Sequence, residues 1–315
     1  MAWTPAHIPP QSGRIVVITG ANGGLGLETA REFARKDAHV VIAARNLDKA
    51  RTASEKIAAE IPAASLQVVP LDLSSLGSTR EAAAQILADH PRVDVLVNNA
   101  GVMAVPEGRT VDGFETQLGT NHLGHFVFTS LLLPALLRTS GSRVVSVTST
   151  ARHIGRPIDP DNPHLEGRYT PWRAYGQSKL ANLHFAIELQ RRLGAAGAET
   201  ASLVAHPGLS DTDLQATSVA NTGGGTSQKF FHGLAQITGM APSMGVRPQL
   251  RAATDPAARG GQLYAPRFGN NGAPVRRPLL GRSVARGPAR VLWEVSERET
   301  GVTFDVASAV RSASA

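Results

Sequence analysis

The amino-acid sequence predicts an α/β fold, a doubly wound parallel sheet with helices on both faces, and three observations carry that expectation. Short apolar runs alternate with stretches of helical spacing along the whole chain. The first runs, Arg14-Ile-Val-Val-Ile-Thr19 and His39-Val-Val-Ile-Ala-Ala44, are continuously apolar, as strands buried on both faces of a parallel sheet must be. A glycine-rich turn, Thr19-Gly20-Ala21-Asn22-Gly23-Gly24-Leu25-Gly26, joins the first run to a stretch with helical spacing at Leu27, Ala30, Phe33 and Ala34. Strand, glycines and helix in that order make a phosphate cradle. The glycines let the backbone approach a pyrophosphate, and the amides and dipole of the helix N-terminus meet its charge.

At 315 residues the chain suffices for one such domain spanning 1–315, with a core at about 14–265 and an extension over 266–315. Hydrophobic residues make 42% and charged residues 18%, so the chain carries enough apolar surface to fold. There is no cysteine, which excludes disulfides, thiolate metal sites and thiol nucleophiles, and no metal site is expected. The net charge of +7 invites a nucleic-acid reading. Only Arg276, Arg277, Arg282, Arg286 and Arg290 cluster, and no helix-turn-helix, zinc or RNA-platform pattern accompanies them, so a solvated basic face is the better reading. Met1 to Pro10 lacks the basic and apolar regions of a signal peptide. The run Phe126 to Leu137 is broken by Thr129, Ser130 and Pro134 and is too short to span a bilayer. No membrane span and a cytoplasmic address are the expectation.

The second strand ends at Arg45-Asn46. The residue just after this strand faces the adenosine ribose in a dinucleotide fold, where an arginine favours a 2′-phosphate, so Arg45 points to NADP(H) with NAD(H) still usable. A helix over 47–60 and a third strand over 66–70 follow, then Asp72-Leu73, placed to read an adenine edge. A helix over 75–90 leads to a fourth strand over 94–97, closed by Asn98-Asn99-Ala100-Gly101, whose amides can fasten the sheet edge. Residues 114–137 read as one long helix containing Asn121, which can hold a water by displacing a main-chain bond. The fifth strand, 142–149, brings Ser149 to the carboxyl end of the sheet, where open α/β sheets bind ligands.

A segment rich in His, Pro, Asp and Arg runs to Arg173 and reads as a hairpin or lid over the site. Ala174 then opens a helix that reaches Leu193 and carries Tyr175 and Lys179 four residues apart on one face. An ammonium roughly 5 Å from the phenol attracts the phenolate by about 3 kcal/mol and should lower the tyrosine pKa by about two units. Such a phenol can give a proton to a carbonyl oxygen or take one from an alcohol. A sixth strand over 199–205 ends in His206-Pro207-Gly208, with Thr212 close behind, and residues 209–240 read as a mobile substrate cover. A helix over 248–254, a seventh strand over 262–265 and a terminal helix over 288–300 complete the chain.

Together, Thr19 to Gly26, Asn98 to Gly101, Asn121, Ser149, Tyr175 with Lys179, and Pro207-Gly208 resemble the short-chain dehydrogenase/reductase family, in that order, from about residue 14 to 265. The resemblance implies a single Rossmann-type domain. It implies that Tyr175 is the general acid/base, Lys179 its pKa modulator and ribose anchor, Ser149 the substrate-oxygen stabiliser and Asn121 the holder of a proton-relay water. It implies cofactor contacts from Gly20, Asn22, Gly24, Leu25 and Gly26, from Arg45, Asp72 and Leu73, from Asn98, which also makes the sheet-edge contact, from Ala100 and Gly101, and from Pro207, Gly208 and Thr212. Ser149 and Tyr175 are 26 residues apart, roughly twice the usual family spacing. That insertion, with Ser178-Lys179-Leu180-Ala181-Asn182 and His206-Pro207-Gly208, resembles the retinol-dehydrogenase-like branch and implies a lipophilic or polycyclic carbonyl or alcohol as substrate. The light-driven reductases of that branch carry a site cysteine, and the resemblance does not extend to their activity. A non-catalytic cofactor sensor or scaffold on the same fold is the alternative, but it would need only the glycine turn. The oligomeric state is left open, a homo-oligomer included.

Overall fold

The protein is described from a computed structural model over residues 2–208 and 240–314. Among the described residues seven strands lie parallel: β1 Ile15–Thr19, β2 His39–Ala44, β3 Ser65–Pro70, β4 Val95–Asn98, β5 Arg143–Val147, β6 Ala201–Ala205 and β7 Leu263–Pro266. An eighth, β8 Pro274–Arg277, pairs antiparallel with β7 and is absent from the sequence expectation. The order β3-β2-β1-β4-β5-β6-β7-β8 winds outward in both directions from β1 and β4. The crevice at the carboxyl ends of those two strands is where such sheets bind ligands.

Alternation along each strand divides the core. Val16 and Ile18, with Val40, Ile42, Val95, Val97 and Val145, pack against α1 (Gly24–Ala34), α2 (Leu47–Glu60) and, after the short α7 (Pro242–Gly245), α8 (Arg247–Thr254). Val17, Val41, Leu96 and Val144 face the other way. They meet α3 (Leu76–Asp89), α5 (Gly124–Leu137) and α6 (Pro171–Ala195), with Trp293 and Phe304 from the C-terminal segment closing over them. Trp293 belongs to α9 (Arg286–Thr300), and α10 (Val306–Ser314) follows. The helices start where short polar caps allow: Asn46, Ser75 and Thr170 accept from the amides of Lys49, Ser78 and Arg173.

Two expectations are corrected and one is refined. The fifth strand stops at Val147, so Ser149 lies past it and caps a 3₁₀ turn, Thr150–His153. The helical stretch expected over 114–137 is present from Thr116 to Leu137, but its winding changes: a single turn, α4 (Thr116–Leu118), runs into a π-wound segment, Gly119–Leu123, before α5. The stretch between Ser149 and α6 holds no strand pairing. Pro157, Pro160 and Pro163 remove amide donors a hairpin would need, and the segment is pinned by single bonds. Gln177 Nε2 donates to Pro163 O, Arg298 to Pro160 O and Tyr169 Oη to Val105 O.

His122, His125 and His206 are each no more than 2% exposed, and burial holds their pKa values down to about 3, 4 and 3. The unfolded chain takes up a proton on each below about pH 6.5, while the fold refuses it, so stability is complete above that pH and lost as pH falls. Three such groups give a slope of roughly 4 kcal/mol per pH unit. The urea midpoint should therefore drop steeply from about pH 6.5 to about 4.5. Equal midpoints at the two ends of that range would show that the imidazoles are not held neutral by the fold.

Candidate active site

The glycine turn leaves β1 with Gly20 at φ 67° and Gly24 at φ 50°, a region that side chains with a Cβ avoid. Gly26 is required by space: a Cβ there would stand 2.2 Å from Gly20 O and 2.8 Å from Ala21 Cα. The N-cap of α1 is Gly23, with no side-chain cap and no acidic residue in the first turn. These amides are thus left for an anion. Thr19 Oγ1 accepts from the amides of Asn99 and Ala100, both at 3.0 Å, and Asn99 Nδ2 donates to Thr19 O at 2.9 Å. The fastening expected of Asn98 is therefore made by Asn99. Asn98, in β4, is buried and donates to Thr129 on α5.

On the adenosine side, Arg45 is exposed at the end of β2. Asp48, the nearest acid in the chain after it, stands in the first turn of α2 with Arg51 at 3.7 Å. Asp72 is partly exposed and holds Ser74 through its Oδ1. The Leu73 side chain belongs to the core, with its carbonyl against Gly124.

Four side chains from three elements converge near the end of β5. Tyr175, 5% exposed, stands in the first turns of α6 beside Ser149, whose Oγ accepts from Ala151 N at 3.2 Å. Close packing makes this meeting feasible across the long insertion: a Cβ on Gly155 would lie 2.2 Å from Gly176 O, so the 3₁₀ turn rests directly on α6. Lys179 Nζ lies 5.8 Å from the Tyr175 ring centroid and donates to Val147 O at 3.4 Å. Asn121 sits in the π segment with no exposed surface. Its Oδ1 accepts from Val102 N, and its Nδ2 donates to Val102 O and Ser178 Oγ. Gly101 passes between them, with room for no Cβ: one would lie 2.8 Å from Asn121 Oδ1.

The electrostatics depart from the sequence expectation. Burial pushes the Tyr175 phenol up to about 12, partly offset by the neighbouring Ser149 hydroxyl, and burial pulls Lys179 down to about 8. Loss of water disfavours phenolate and ammonium alike, so in the protein alone desolvation outweighs their attraction. Tyr175 is therefore a protonated acid at neutral pH.

His125 was not singled out from the sequence, yet it joins two parts of the site. Its Nδ1 donates to Asn121 O at 2.9 Å, which leaves Nε2 as acceptor for the Thr19 hydroxyl at 2.8 Å. The signal was available: His125 stands four residues after Asn121 at the head of an apolar helix. Through it the glycine turn, the Asn99 turn and the π segment form one hydrogen-bonded frame. Pro207 and Gly208 follow β6, with Gly208 at φ 78° and its Cα side closed by Asn270 O. Thr212 and the expected cover lie outside the described residues, save Met240, which is buried.

The sequence profile of the family described as short chain dehydrogenase matches residues 14–223. Polyprenol dehydrogenase of Mus musculus is 44% identical over 216 residues, 67% of this chain and 64% of that protein. Retinol dehydrogenase 12 of Homo sapiens is 46% identical over 202 residues, 64% of this chain and 63% of that protein. The match thus spans somewhat under two thirds of the length of these relatives. A crystal structure of an uncharacterized protein from Mycobacterium paratuberculosis is similar over 96% of this chain and 99% of that one, with a TM-score of 0.80 and 42% identity. A structure described as an NAD(P) dependent gluconate 5-dehydrogenase from Beutenbergia cavernae, with bound NADP, is similar at TM-score 0.63 and 27% identity, covering 82% of this chain and 96% of that one.

Proposed function

Because the chain belongs to the short-chain dehydrogenase family, in its retinol-dehydrogenase-like branch, we propose that it is an NADP(H)-dependent oxidoreductase interconverting a carbonyl and an alcohol on a lipophilic or polycyclic small molecule. The observation that carries the reading is the convergence of the buried Tyr175 with Ser149, with Lys179 and Asn121 beside it. The uncapped start of α1 and the space reserved by Gly20 and Gly26 fit a dinucleotide pyrophosphate. When bound, the reduced nicotinamide supplies the hydride that the carbonyl carbon receives. In that direction the Ser149 hydroxyl holds the carbonyl oxygen and Tyr175 gives its proton to it. In the reverse direction the Tyr175 oxygen takes the alcohol proton. Lys179 holds a positive charge that favours the phenolate left behind, and Asn121 keeps the surrounding turn in place. The polyprenol and retinol relatives support a lipophilic substrate by their names.

The cofactor preference rests on Arg45. A guanidinium can bond a 2′-phosphate bidentately, a charge-assisted contact of about 1.5–3 kcal/mol that favours NADPH over NADH by roughly ten- to a hundredfold. Arg45→Ala should lower kcat/KM with NADPH by that factor and leave the NADH value nearly unchanged. Equal values in the parent, or a preference untouched by the substitution, would make Arg45 an ordinary surface arginine.

A further inference from the structure

We propose that a cationic recognition point beside Ser149, built from Arg152, His206 and Arg277, binds an acidic group of the substrate, so that the lipophilic carbonyl or alcohol carries a carboxylate a few bonds from its reacting carbon. The proposal rests on the catalytic reading above and narrows its substrate class.

Arg152 stands on the 3₁₀ turn that Ser149 caps, and its Nη1 donates to Ser149 O at 3.0 Å. Covalent geometry then keeps that nitrogen within about 8 Å of the Ser149 hydroxyl. The Arg152 Nε is buried and has no hydrogen-bond partner. His206 is the residue after β6, and its Nδ1 accepts from Gly208 N at 3.3 Å, which puts the proton of the neutral ring on Nε2. That Nε2 is also buried with no acceptor inside hydrogen-bond distance, although the Gly269 carbonyl lies close enough to favour the charged ring.

Strand parity puts Arg277 on the same face of the sheet as His206. Val204 and Leu263 pack with Leu180 and Leu183 on the α6 face of the sheet. His206 lies two residues beyond Val204, and Arg277 is the β8 partner of Leu263, so both belong to that same face. Their proximity is visible in the electrostatics. After burial, Arg277 is what disfavours the charge on Arg152, and Arg152 in turn disfavours charge on His153 and His206. No carboxylate enters any of these balances.

Some part-buried arginines have a carboxylate partner, while Arg143 is held, among the described residues, by the Ala252 carbonyl alone. Arg14 has Asp94 at 3.2 Å, Arg192 has Glu188 at 3.0 Å and Arg251 has Asp255 at 2.9 Å. Among the described residues neither Arg152 nor Arg277 has an ion pair. A guanidinium does not escape burial by losing its proton, so its charge and its free donor persist until an anion arrives. A carboxylate would accept from Arg152 Nε–H and His206 Nε2–H and neutralise the excess charge. The β8 strand, which the sequence pattern did not announce, thereby acquires a purpose in placing Arg277.

The test compares kcat/KM, with NADPH, for a medium-chain γ-keto acid and its methyl ester. The acid should be preferred by about ten- to a hundredfold, and Arg152→Gln should reduce the acid-to-ester ratio to within about threefold of unity. Arg277→Gln, on an exposed strand, should reduce the ratio less and in a salt-dependent way. An ester used as well as the acid by the parent, or a preference that survives both substitutions, overturns the proposal. A loss of NADPH affinity in Arg152→Gln with the ratio unchanged also overturns it, placing a cofactor phosphate at these groups. Should neither compound turn over, the catalytic reading fails for this class, while decanoate alone still probes the anion point. A thermal shift by decanoate in the parent and not in Arg152→Gln supports the point, and no shift in the parent overturns it.

Discussion

Tyr175→Phe abolishes turnover and leaves cofactor affinity within a few-fold of the parent. The substitution removes one oxygen from a ring that is 5% exposed and packed edge-on against Trp172 at 5.9 Å, so the helix that carries it has no reason to move. Ser149 keeps its bond from Ala151 N, and Lys179 keeps Val147 O. What disappears is the group able to pass a proton to the substrate oxygen, a contribution typically of 10²- to 10⁴-fold. Because burial holds the phenol near 12, it is protonated at neutral pH and equipped for reduction, whereas alcohol oxidation needs the phenolate and should gain rate as pH rises. Steady-state kcat with NADPH and a fluorescence titration of NADPH separate the two effects. Activity within about tenfold of the parent would remove Tyr175 from the chemistry.

Gly26→Ala has the largest expected effect on cofactor binding. Its methyl would meet Gly20 O and Ala21 Cα, both main chain, and Asn99 Nδ2 at 2.8 Å. No rotamer relieves a collision with backbone, so the turn must open and pull on the Thr19 and Asn99 bonds. Overpacking of this kind costs about 1–3 kcal/mol, equivalent to roughly five- to more than a hundredfold in affinity if the turn holds the pyrophosphate. Gly77→Ala, at an exposed helical position with Ser75 Oγ no nearer than 3.6 Å, should change neither affinity nor melting temperature appreciably. NADPH affinity within about threefold of the parent in Gly26→Ala would mean that the cradle lies elsewhere.

The sheet was legible because strands buried on both faces must be written in apolar residues. Positions 39–44 are a strand in both the sequence and the structure. Pro274-Val-Arg-Arg277 carries no such pattern, since an antiparallel edge strand needs only the backbone of β7 beside it. The glycine turn and the pairing of Tyr175 with Lys179 were legible as spacing, and the structure brings Ser149 to Tyr175 across the 25 intervening positions. Their proton affinities were not, because four residues on a helix set a distance but say nothing about how much water remains. The exchange of Asn98 for Asn99 has a similar origin: successive residues at a strand end point to opposite sides, and a sequence does not fix which of two adjacent amides faces the turn. The work of His125 depends on Thr19, far away in the chain, and only the folded arrangement joins them.

The π segment at Gly119–Leu123 has a historical consequence. It contains one residue more than an α-helix would use for the same span. Losing that residue would restore ordinary winding, but at about 100° per residue it would swing one side of the helix against the other. Either Asn121 would turn from Val102 and Ser178, or Phe126, Leu132 and Leu133 would turn from the sheet. A lineage that kept both could not have drifted through a deletion here. A one-residue gap at this point in an aligned relative would therefore mark a descendant that kept its fold and gave up its chemistry.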